Sequence, residues 1–341
     1  MPNVSVIMPV YNAERYIEKS LLSLLNQTLS DFEIIIIDDG STDKSLAIIN
    51  NILEQNLKNK NIITLISREN KGVAATRAEG ISLAKGDYII HIDSDDWVEH
   101  NWLQLMYETA IKNESDIVIC DYTEVYNKKK HRVYQSCSSS RQENIEFLLT
   151  NKLSNSNCDK LIRRSILTKN NINFIKNFNM GEDFLFTLKA LFYSQKTTHI
   201  SKSLYYYNKS NQNSLTYKYS EKALSDIIKV VEIAENFLKN ENYLNKIKKS
   251  LDHFKFNIRV LHLINSKNNG IKVSINLYPE TNYLIKSKET SKTFKILFKL
   301  NNLKMNFLGK ILLKIYLVYL EIKRTKLILI YNSLMSNFKK N

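Results

Sequence analysis

Three aspartates end one apolar run of the chain. Asp93, Asp95 and Asp96 follow residues 88–92, an isoleucine-rich segment that is typical of a buried strand. Carboxylates this close together repel one another, so a bound cation would offset their charge. Oxygen ligands at this density suit Mg²⁺ or Mn²⁺, which usually arrive with a phosphorylated substrate. The alternative is an acidic helix start, because Asp is favoured at N-caps and in first turns.

A second acidic segment, residues 38–43, follows the apolar run 33–37. Asp39 can accept hydrogen bonds from a nucleobase or ribose, as a strand-end carboxylate does in doubly wound folds. The same residues also suit an ordinary turn in which Ser41 or Asp43 caps the next helix. The chain has no GxGxxG segment, which argues against a nucleotide loop of the dehydrogenase kind.

Two further segments carry charges that suit a transfer reaction. Arg77 can bind a diphosphate through its fork of donors, or it can be an exposed helical arginine. Glu182 and Asp183 can stabilise a helix N-terminus. If they face the same cleft as Arg77, one of them is a candidate general base that deprotonates an attacking hydroxyl.

Alternating strand and helix patterns position these groups. Strands are predicted at 4–8, 33–37, 62–66 and 88–92, and helices at 13–26, 73–84 and around Leu46, Ile49 and Leu53. Such alternation indicates βαβ units and a parallel sheet. Ligands bind beyond the carboxyl ends of the strands in these sheets, and all the polar clusters up to residue 96 lie there.

The pattern changes from residue 116 onward. A strand is predicted at 116–121, followed by an antiparallel ribbon over 122–134 that turns at 128–130. Helices are predicted at 142–149, 160–167 and 180–193, and strand structure at 197–207. Beyond about residue 217 the pattern is almost entirely helical.

Five short segments, in this order and spacing, resemble the family 2 glycosyltransferases, the inverting GT-A enzymes of bacterial surface polysaccharide synthesis. The resemblance covers roughly residues 3–215. It rests on Ser5-Val-Ile-Met-Pro-Val-Tyr-Asn12, Ile37-Asp-Asp-Gly-Ser-Thr-Asp43, Asn70-x-Gly-x5-Arg77, Asp93-Ser-Asp-Asp96 and Gly181-Glu-Asp183.

The resemblance implies a role for each matching position. Asp183 is the expected catalytic base, supported by Glu182. Asp93 and Asp95 form the DxD element that holds Mn²⁺ or Mg²⁺ on the donor diphosphate. The remaining expected donor-binding residues are Pro9, Tyr11, Asn12, Asp39, Arg77 and Asp96, with Asp39 reading the base, most often uracil.

Two segments depart from the family pattern. Cys158-Asp-Lys160-Leu stands where the family usually has an aromatic residue followed by Asn-Lys-Leu, and this places Cys158 and Lys160 on the acceptor side. Lys209 and Ser214-Leu-Thr216 stand where the family often has an arginine-containing loop. Closure over the diphosphate is therefore expected to use Lys209.

The charge of the chain is uneven. The formal net charge is +15, and residues 291–341 hold 11 of the 49 Lys and Arg residues against one acidic residue, Glu321. Apolar pairs and triplets alternate with these lysines over 291–331. The segment is either an amphipathic helix in an anionic leaflet or a helix that packs on the catalytic domain. Its bulky aliphatic residues favour lipid over nucleic acid.

Three cysteines without a CxxC pair predict neither a disulfide framework nor a zinc site. No secretory signal and no run of about 20 apolar residues is evident. We therefore expect a cytoplasmic protein, peripheral on the inner face of the bacterial cytoplasmic membrane.

The sequence thus predicts an α/β fold of the GT-A nucleotide-diphospho-sugar type over 1–215, with a Rossmann-like, mostly parallel sheet. A helical, basic region follows over 216–341. The predicted activity is metal-assisted, inverting transfer of a sugar from a nucleotide donor to a glycan acceptor, including a lipid-linked one. The alternative is a membrane-associated scaffold that keeps the fold without turnover.

Overall fold

In the computed structural model the chain forms two compact units, Met1–Ile247 and Lys248–Asn341. The predicted boundary between a catalytic and a C-terminal region, after residue 215, stays a prediction. The structure describes residues 1–56, 61–127, 129–176, 178, 180–211, 221–265, 274, 276–288, 290 and 292–302.

The first half of the first unit is a parallel sheet with the order β3-β2-β1-β4. These strands are β1 (Val4–Val10), β2 (Phe32–Asp38), β3 (Ile63–Ser67) and β4 (Tyr88–His91). The apolar residues of β1, β2 and β4 are buried on both faces, as continuous runs of isoleucine and valine require, whereas those of the edge strand β3 are half-buried. All four carboxyl ends meet at one edge, so the polar segments that follow the strands converge there.

Three helices connect these strands: α1 (Ile17–Leu25), α2 (Ser45–Gln55) and α3 (Val73–Leu83). The third lies very close to the sheet at Gly80. A Cβ atom there would come 2.4 Å from Cγ2 of Ile7, so only glycine allows this approach. The packing holds the first turns of α3, including Arg77, against the strand ends.

The second half of the sheet is mixed. It contains β5 (Trp97–Val98), β6 (Ile117–Tyr126), β7 (Lys129–Val133), β8 (Lys160–Arg163) and β9 (Thr197–Asn208). The order continues from β4 as β8-β6-β9-β5, and β7 pairs with β6 as the predicted antiparallel ribbon. The sheet confirms the predicted α/β fold class.

The helix predicted at 160–167 is wrong in its first half. Residues Lys160–Arg163 form strand β8, and only Arg164–Lys169 is helical, as α6. The strand fills the space between β4 and β6, antiparallel to both, and its first three residues are buried. A run of four apolar or amphipathic residues can form either a helix or a strand. Here the hydrogen bonds available from β4 and β6 favour the strand.

Five more helices belong to the described residues: α4 (Trp102–Lys112), α5 (Arg141–Leu149), α7 (Glu182–Tyr193), α8 (Glu221–Asn240) and α9 (Leu244–Asn265). Helix α7 follows Gly181, which has a left-handed φ of 88°. This conformation favours glycine and starts the helix directly at Glu182 and Asp183.

The second unit contains a 3-10 helix (Pro279–Lys286) and helix α10 (Lys292–Asn302). Its small core consists of Phe256, Leu263, Leu284, Leu297 and Phe298. The rest of the predicted membrane-binding segment, residues 303–331, lies outside the described residues. Within the described part of the chain, every helix is too short or too polar to cross a membrane.

Candidate active site

The loops after β1 and β2 are bonded to each other. Asn12 adopts a left-handed φ of 49°, and its Oδ1 accepts a hydrogen bond from the backbone N–H of Thr42 at 2.8 Å. The backbone N–H of Asn12 donates to Oγ of Ser41 at 3.0 Å. Pro9 is buried in β1, whereas Tyr11 is 52% exposed. The loops are therefore fixed while the Tyr11 ring faces outward.

Asp39 is buried and holds the loop after β3. It forms an ion pair with Arg68 and accepts hydrogen bonds from the backbone N–H groups of Lys71 at 2.8 Å and Gly72 at 2.9 Å. These are three donors, and a carboxylate has about four acceptor positions, so one position is left for a ligand. The sequence placed Arg68 in a polar cluster at this edge of the sheet, directly after β3, but predicted no role for it.

Arg77 joins three carboxylates. Its Nη2 lies 2.8 Å from Oδ1 of Asp93, and its Nη1 lies 2.8 Å from Oδ1 of Asp183 and 3.2 Å from Oε1 of Glu182. Burial alone would lower the pKa of Arg77, but the three carboxylates raise it well above its ordinary value. The arginine therefore stays charged and brings the aspartate cluster after β4 together with the start of α7.

Asp183 has a second partner that sequence analysis missed. The Nδ2 of Asn157 donates to Oδ1 of Asp183 at 2.7 Å, and the Oδ1 of Asn157 accepts from Oγ1 of Thr187 at 3.0 Å. No described residue bonds Oδ2 of Asp183. Asn157 is itself fully buried. The only sequence signal for it was its place next to the Cys158–Lys160 segment.

The two carboxylates at the start of α7 differ in accessibility. The side chain of Asp183 is 25% exposed and that of Glu182 is 9% exposed. Burial, then the neighbouring Asp183, raises the pKa of Glu182 to about 7. Burial also raises the pKa of Asp183, although the charge of Arg77 opposes this. Asp183 is thus the more accessible of two carboxylates whose proton affinity is increased.

The three aspartates after β4 have different surroundings. Asp96 is buried; its carboxylate accepts from the hydroxyl of Tyr205 and from the backbone N–H of Asn208 at 2.7 Å. Asp95 accepts only from Nδ2 of Asn211, at 2.7 Å, among the described residues. Burial, then the nearby Asp93, raises the pKa of Asp95 to about 6.

Asp93 and Asp95 suit a divalent ion that takes one or two ligands from the protein and the others from a bound substrate. Asp95 has one oxygen without a described partner, and Asp93 has one besides the oxygen bound by Arg77. No group of three or more His, Cys, Asp or Glu side chains in the described residues is arranged as a complete metal site. Mg²⁺ and Mn²⁺ sites in transferases often use only one or two carboxylates together with substrate phosphates.

The residues predicted on the acceptor side are buried. Cys158 is 2% and Lys160 1% exposed. The Nζ of Lys160 lies within hydrogen-bond distance of Oδ1 of Asp159 at 2.6 Å and of the carbonyl oxygens of Ser154 and Ser156 at 2.8 and 2.7 Å. Lys160 therefore fixes the 154–159 segment that carries Asn157 toward Asp183. Contact of either residue with an acceptor stays a prediction.

Lys209, expected at the diphosphate, lies 3.8 Å from Glu124 and over the ring of Tyr207. Its predicted companions, Ser214–Thr216, lie outside the described residues. His91 packs edge-on against Phe174 and Phe186. Burial, then Arg77, lowers the pKa of His91 to about 3, so it is neutral.

Comparisons with known proteins give a consistent result. Residues 5–170 match the family model described as glycosyl transferase family 2. The chain is 33% identical over 260 residues to the protein named glycosyltransferase EpsH of Bacillus subtilis (strain 168), covering 74% of each chain. It is 31% identical over 258 residues to the cholesterol galactosyltransferase of Borreliella burgdorferi, covering 71% of this chain and 69% of that one.

A solved structure shares the fold. The crystal structure of S. aureus TarS 1–349 in complex with UDP-GlcNAc superposes with a TM-score of 0.60 at 21% identity. The match covers 83% of this chain and 91% of that one.

Proposed function

The chain belongs to glycosyl transferase family 2, and from this premise we propose that it transfers a sugar, with inversion, from a nucleoside-diphosphate donor to a hydroxyl group of a growing surface glycan. The observation that carries the proposal is the position of Arg77. One guanidinium joins Asp93, on the expected donor side, to Asp183, the expected base. The groups needed for leaving-group and acceptor chemistry are therefore adjacent.

The donor side would be built by the loops after β1, β2 and β4. The exposed ring of Tyr11 offers a surface for a base, and Asp39 has one acceptor position left for the N–H group of a uracil. The UDP-GlcNAc complex of TarS, which has the same fold, supports a uridine donor. Asp95, with Asp93, would hold Mg²⁺ or Mn²⁺, which when bound supplies positive charge to the leaving diphosphate.

Asp183 would act as the general base. Its Oδ1 is held by Arg77 and Asn157, so its Oδ2, which no described residue bonds, would take the proton of the acceptor hydroxyl. The hydroxyl oxygen then attacks the anomeric carbon from the face opposite the departing diphosphate, which inverts that centre. Glu182 is less exposed, with a pKa near neutrality, so it suits a supporting role.

The acceptor and the location of the protein complete the proposal. The relative named cholesterol galactosyltransferase acts on a lipid, according to its name, which supports a lipid-linked acceptor here. The basic segment 291–331 would hold the protein on the anionic inner face of the cytoplasmic membrane.

Calorimetric titration with UDP tests the donor side of this proposal. We expect UDP to bind in the presence of Mn²⁺, and binding to weaken when EDTA is added or when Asp95 is replaced by Ala. An Asp95→Ala variant that binds UDP as tightly as the wild type, with or without Mn²⁺, would remove Asp95 from the proposed donor site.

A further inference from the structure

A stack of two lysines and two aromatic rings lies on the sheet edge next to the candidate active site. The rings of Trp97 and Tyr206 are stacked, with centroids 5.4 Å apart and planes 7° from parallel. The Nζ of Lys19 lies over the Trp97 ring, and the Nζ of Lys130 lies 4.9 Å from the centre of the Tyr206 ring. We call these four residues the cationic stack.

Strand pairing fixes the position of the stack. Trp97 in β5 pairs with Tyr206 in β9, and β9 pairs with β6, whose partner β7 carries Lys130. The hydroxyl of Tyr206 also donates to Oε1 of Glu99, and this contact, after burial, raises the pKa of Tyr206 to about 12. The phenol is therefore neutral and the rings are held in place.

The stack is directly connected to the residues of the candidate site. Trp97 follows Asp96 in the chain, and Tyr205, next to Tyr206, donates its hydroxyl proton to Asp96. Further along the same strand, the backbone N–H of Asn208 also bonds Asp96. The stack therefore lies one residue along the chain from the aspartate cluster, with Tyr206 on the face of β9 opposite to Tyr205.

The two ammonium groups have no acidic partner in the described part of the chain. No carboxylate in the described residues forms an ion pair with Lys19 or Lys130, whereas Arg132 pairs with Asp121 and Lys209 with Glu124. Burial and then the charge of Lys130 lower the pKa of Lys19. Two like charges thus act on each other at a fixed site without a counterion among the described residues, and an anion would offset them.

The contacts that the two rings already make limit the kind of ligand that the stack can bind. Each ring already contacts the other ring and one ammonium group, so the stack offers little free aromatic face for a nucleobase or a sugar. The exposed donors are the two ammonium groups, which bind phosphate or carboxylate oxygens as point charges. Lys129, Lys130, His131 and Arg132 of β7 are all exposed and extend the basic surface.

We propose that the cationic stack binds anionic groups, phosphodiester or carboxylate, that repeat along the acceptor chain beside the transfer site. This inference rests on the proposed function and names the class of its acceptor. A neutral acceptor would gain nothing from two ammonium groups that lack an acidic partner among the described residues, whereas a polyanionic chain would be attracted to them. Salt is expected to weaken this binding, because the lysines are exposed.

The test is fluorescence anisotropy with three end-labelled oligomers of equal length. One is a glycerol phosphate oligomer, one an oligogalacturonate and one a neutral maltooligosaccharide. We expect at least one anionic oligomer to bind in a salt-dependent manner and the neutral one to bind more weakly. The Lys19→Gln/Lys130→Gln double variant should lose about tenfold in affinity for the anionic oligomer. The binding oligomer identifies the anionic group.

Lys246→Gln is the matched control, because Lys246 is also exposed and lies 5.1 Å from the centre of an aromatic ring, that of Tyr243. It should leave binding unchanged. Equal binding of all three oligomers would overturn the inference. So would unchanged binding in the double variant, or tighter binding of a single-stranded RNA of equal length.

UDP titration of the same preparations separates the inference from the proposed function. Wild type and the double variant should bind UDP equally, since the stack is assigned to the acceptor. UDP binding without binding of an anionic oligomer would contradict only the acceptor inference. Absence of UDP binding in the wild type would contradict the proposed function itself.

Discussion

Arg77 and Asp183 are 106 positions apart in the chain, yet Nη1 of the first lies 2.8 Å from Oδ1 of the second. Helix α3 supplies the arginine, and the first turn of α7 supplies the aspartate. The arginine side chain is 5% exposed, so the pair lies in a poorly solvated place. This contact joins the proposed donor half of the candidate site to its proposed acceptor half.

Replacing Arg77 with Met should destabilise the first unit strongly. Three carboxylates would lose their shared cation, and breaking a buried ion pair from one side costs about 3–5 kcal/mol. Without the cation, the pKa values of Glu182 and Asp183 would rise further above their unfolded values. The loss should therefore be larger at pH 8 than at pH 5, as measured by urea denaturation.

The matched control for Arg77 is Arg163→Met. Arg163 lies 3.1 Å from Asp116, but its side chain is 32% exposed. A partly solvated pair of this kind contributes about 1 kcal/mol or less. Equal losses in the two variants would show that the Arg77 cluster does not behave as a buried network.

Without a divalent ion, the protein should become less stable as the pH rises from 5 to 8. The pKa of Asp95 is about 6 in the folded protein, above the ordinary aspartate value, so the folded state favours the protonated form. Stability from such a group is present at low pH and is lost as the pH rises through the folded pKa. Glu182, with a pKa of about 7, acts in the same direction.

Thermal melting in EDTA at several pH values measures this dependence. In the Asp95→Asn variant the decrease of Tm with rising pH should be smaller, because one of the titrating groups is gone. Mn²⁺ with UDP should raise the Tm of the wild type more at pH 8 than at pH 5, since protons compete with the ion. A wild-type Tm that rises between pH 5 and pH 8 in EDTA would contradict this account.

Asn157→Leu should shift the pH dependence of turnover. The amide of Asn157 lowers the pKa of Asp183 through its 2.7 Å hydrogen bond, so its removal should raise that pKa. The acid limb of the kcat/KM profile should then move to higher pH, with a larger loss of activity at pH 6 than at pH 8.

Asn144→Leu provides the comparison for Asn157. Asn144 is also buried, but among the described residues its side chain bonds only the backbone of Ser138. Its replacement should lower stability and leave the acid limb in place. A shift in both variants would point to a general loosening of the fold.

Lys160→Met should lower the free energy of unfolding and should not act on the acceptor directly. Lys160 is fully buried against Asp159, so its removal leaves an uncompensated buried charge and is expected to cost about 3–5 kcal/mol. The Asp159→Asn/Lys160→Met double variant should recover much of this loss, because both charges are gone. A fully stable Lys160→Met protein that fails only in acceptor binding would support a direct acceptor role instead.

The parallel half of the sheet could be predicted because its signals are local. Apolar runs such as Ile34–Ile37 need burial on both faces, and the polar residues after them mark the functional edge. The chain order of strands and helices then places Asp39 and Asp93 at that edge. The candidate residues there followed from the strand pattern and the motifs together.

Contacts between distant segments could not be predicted in this way. The sequence offered Arg77 as a diphosphate ligand or an exposed helical arginine, and it did not predict the contacts with Asp93 and Asp183. Strand β8 was taken for a helix because its four residues form a strand only between β4 and β6. Asn157 carries no motif of its own, and only tertiary folding brings it to Asp183.

The most direct test of the account is release of nucleoside diphosphate by the purified protein across a panel of nucleotide sugars, with Mn²⁺, with Mg²⁺ and with EDTA. Wild type, Asp183→Asn and Lys246→Gln would be assayed together with an acceptor glycan. We expect one donor to be consumed in a metal-dependent manner, with turnover about 10²–10⁴-fold lower in Asp183→Asn. UDP affinity should be unchanged in that variant, and Lys246→Gln should behave as wild type. Wild-type turnover in Asp183→Asn would contradict the assignment of the base and, with it, the central claim.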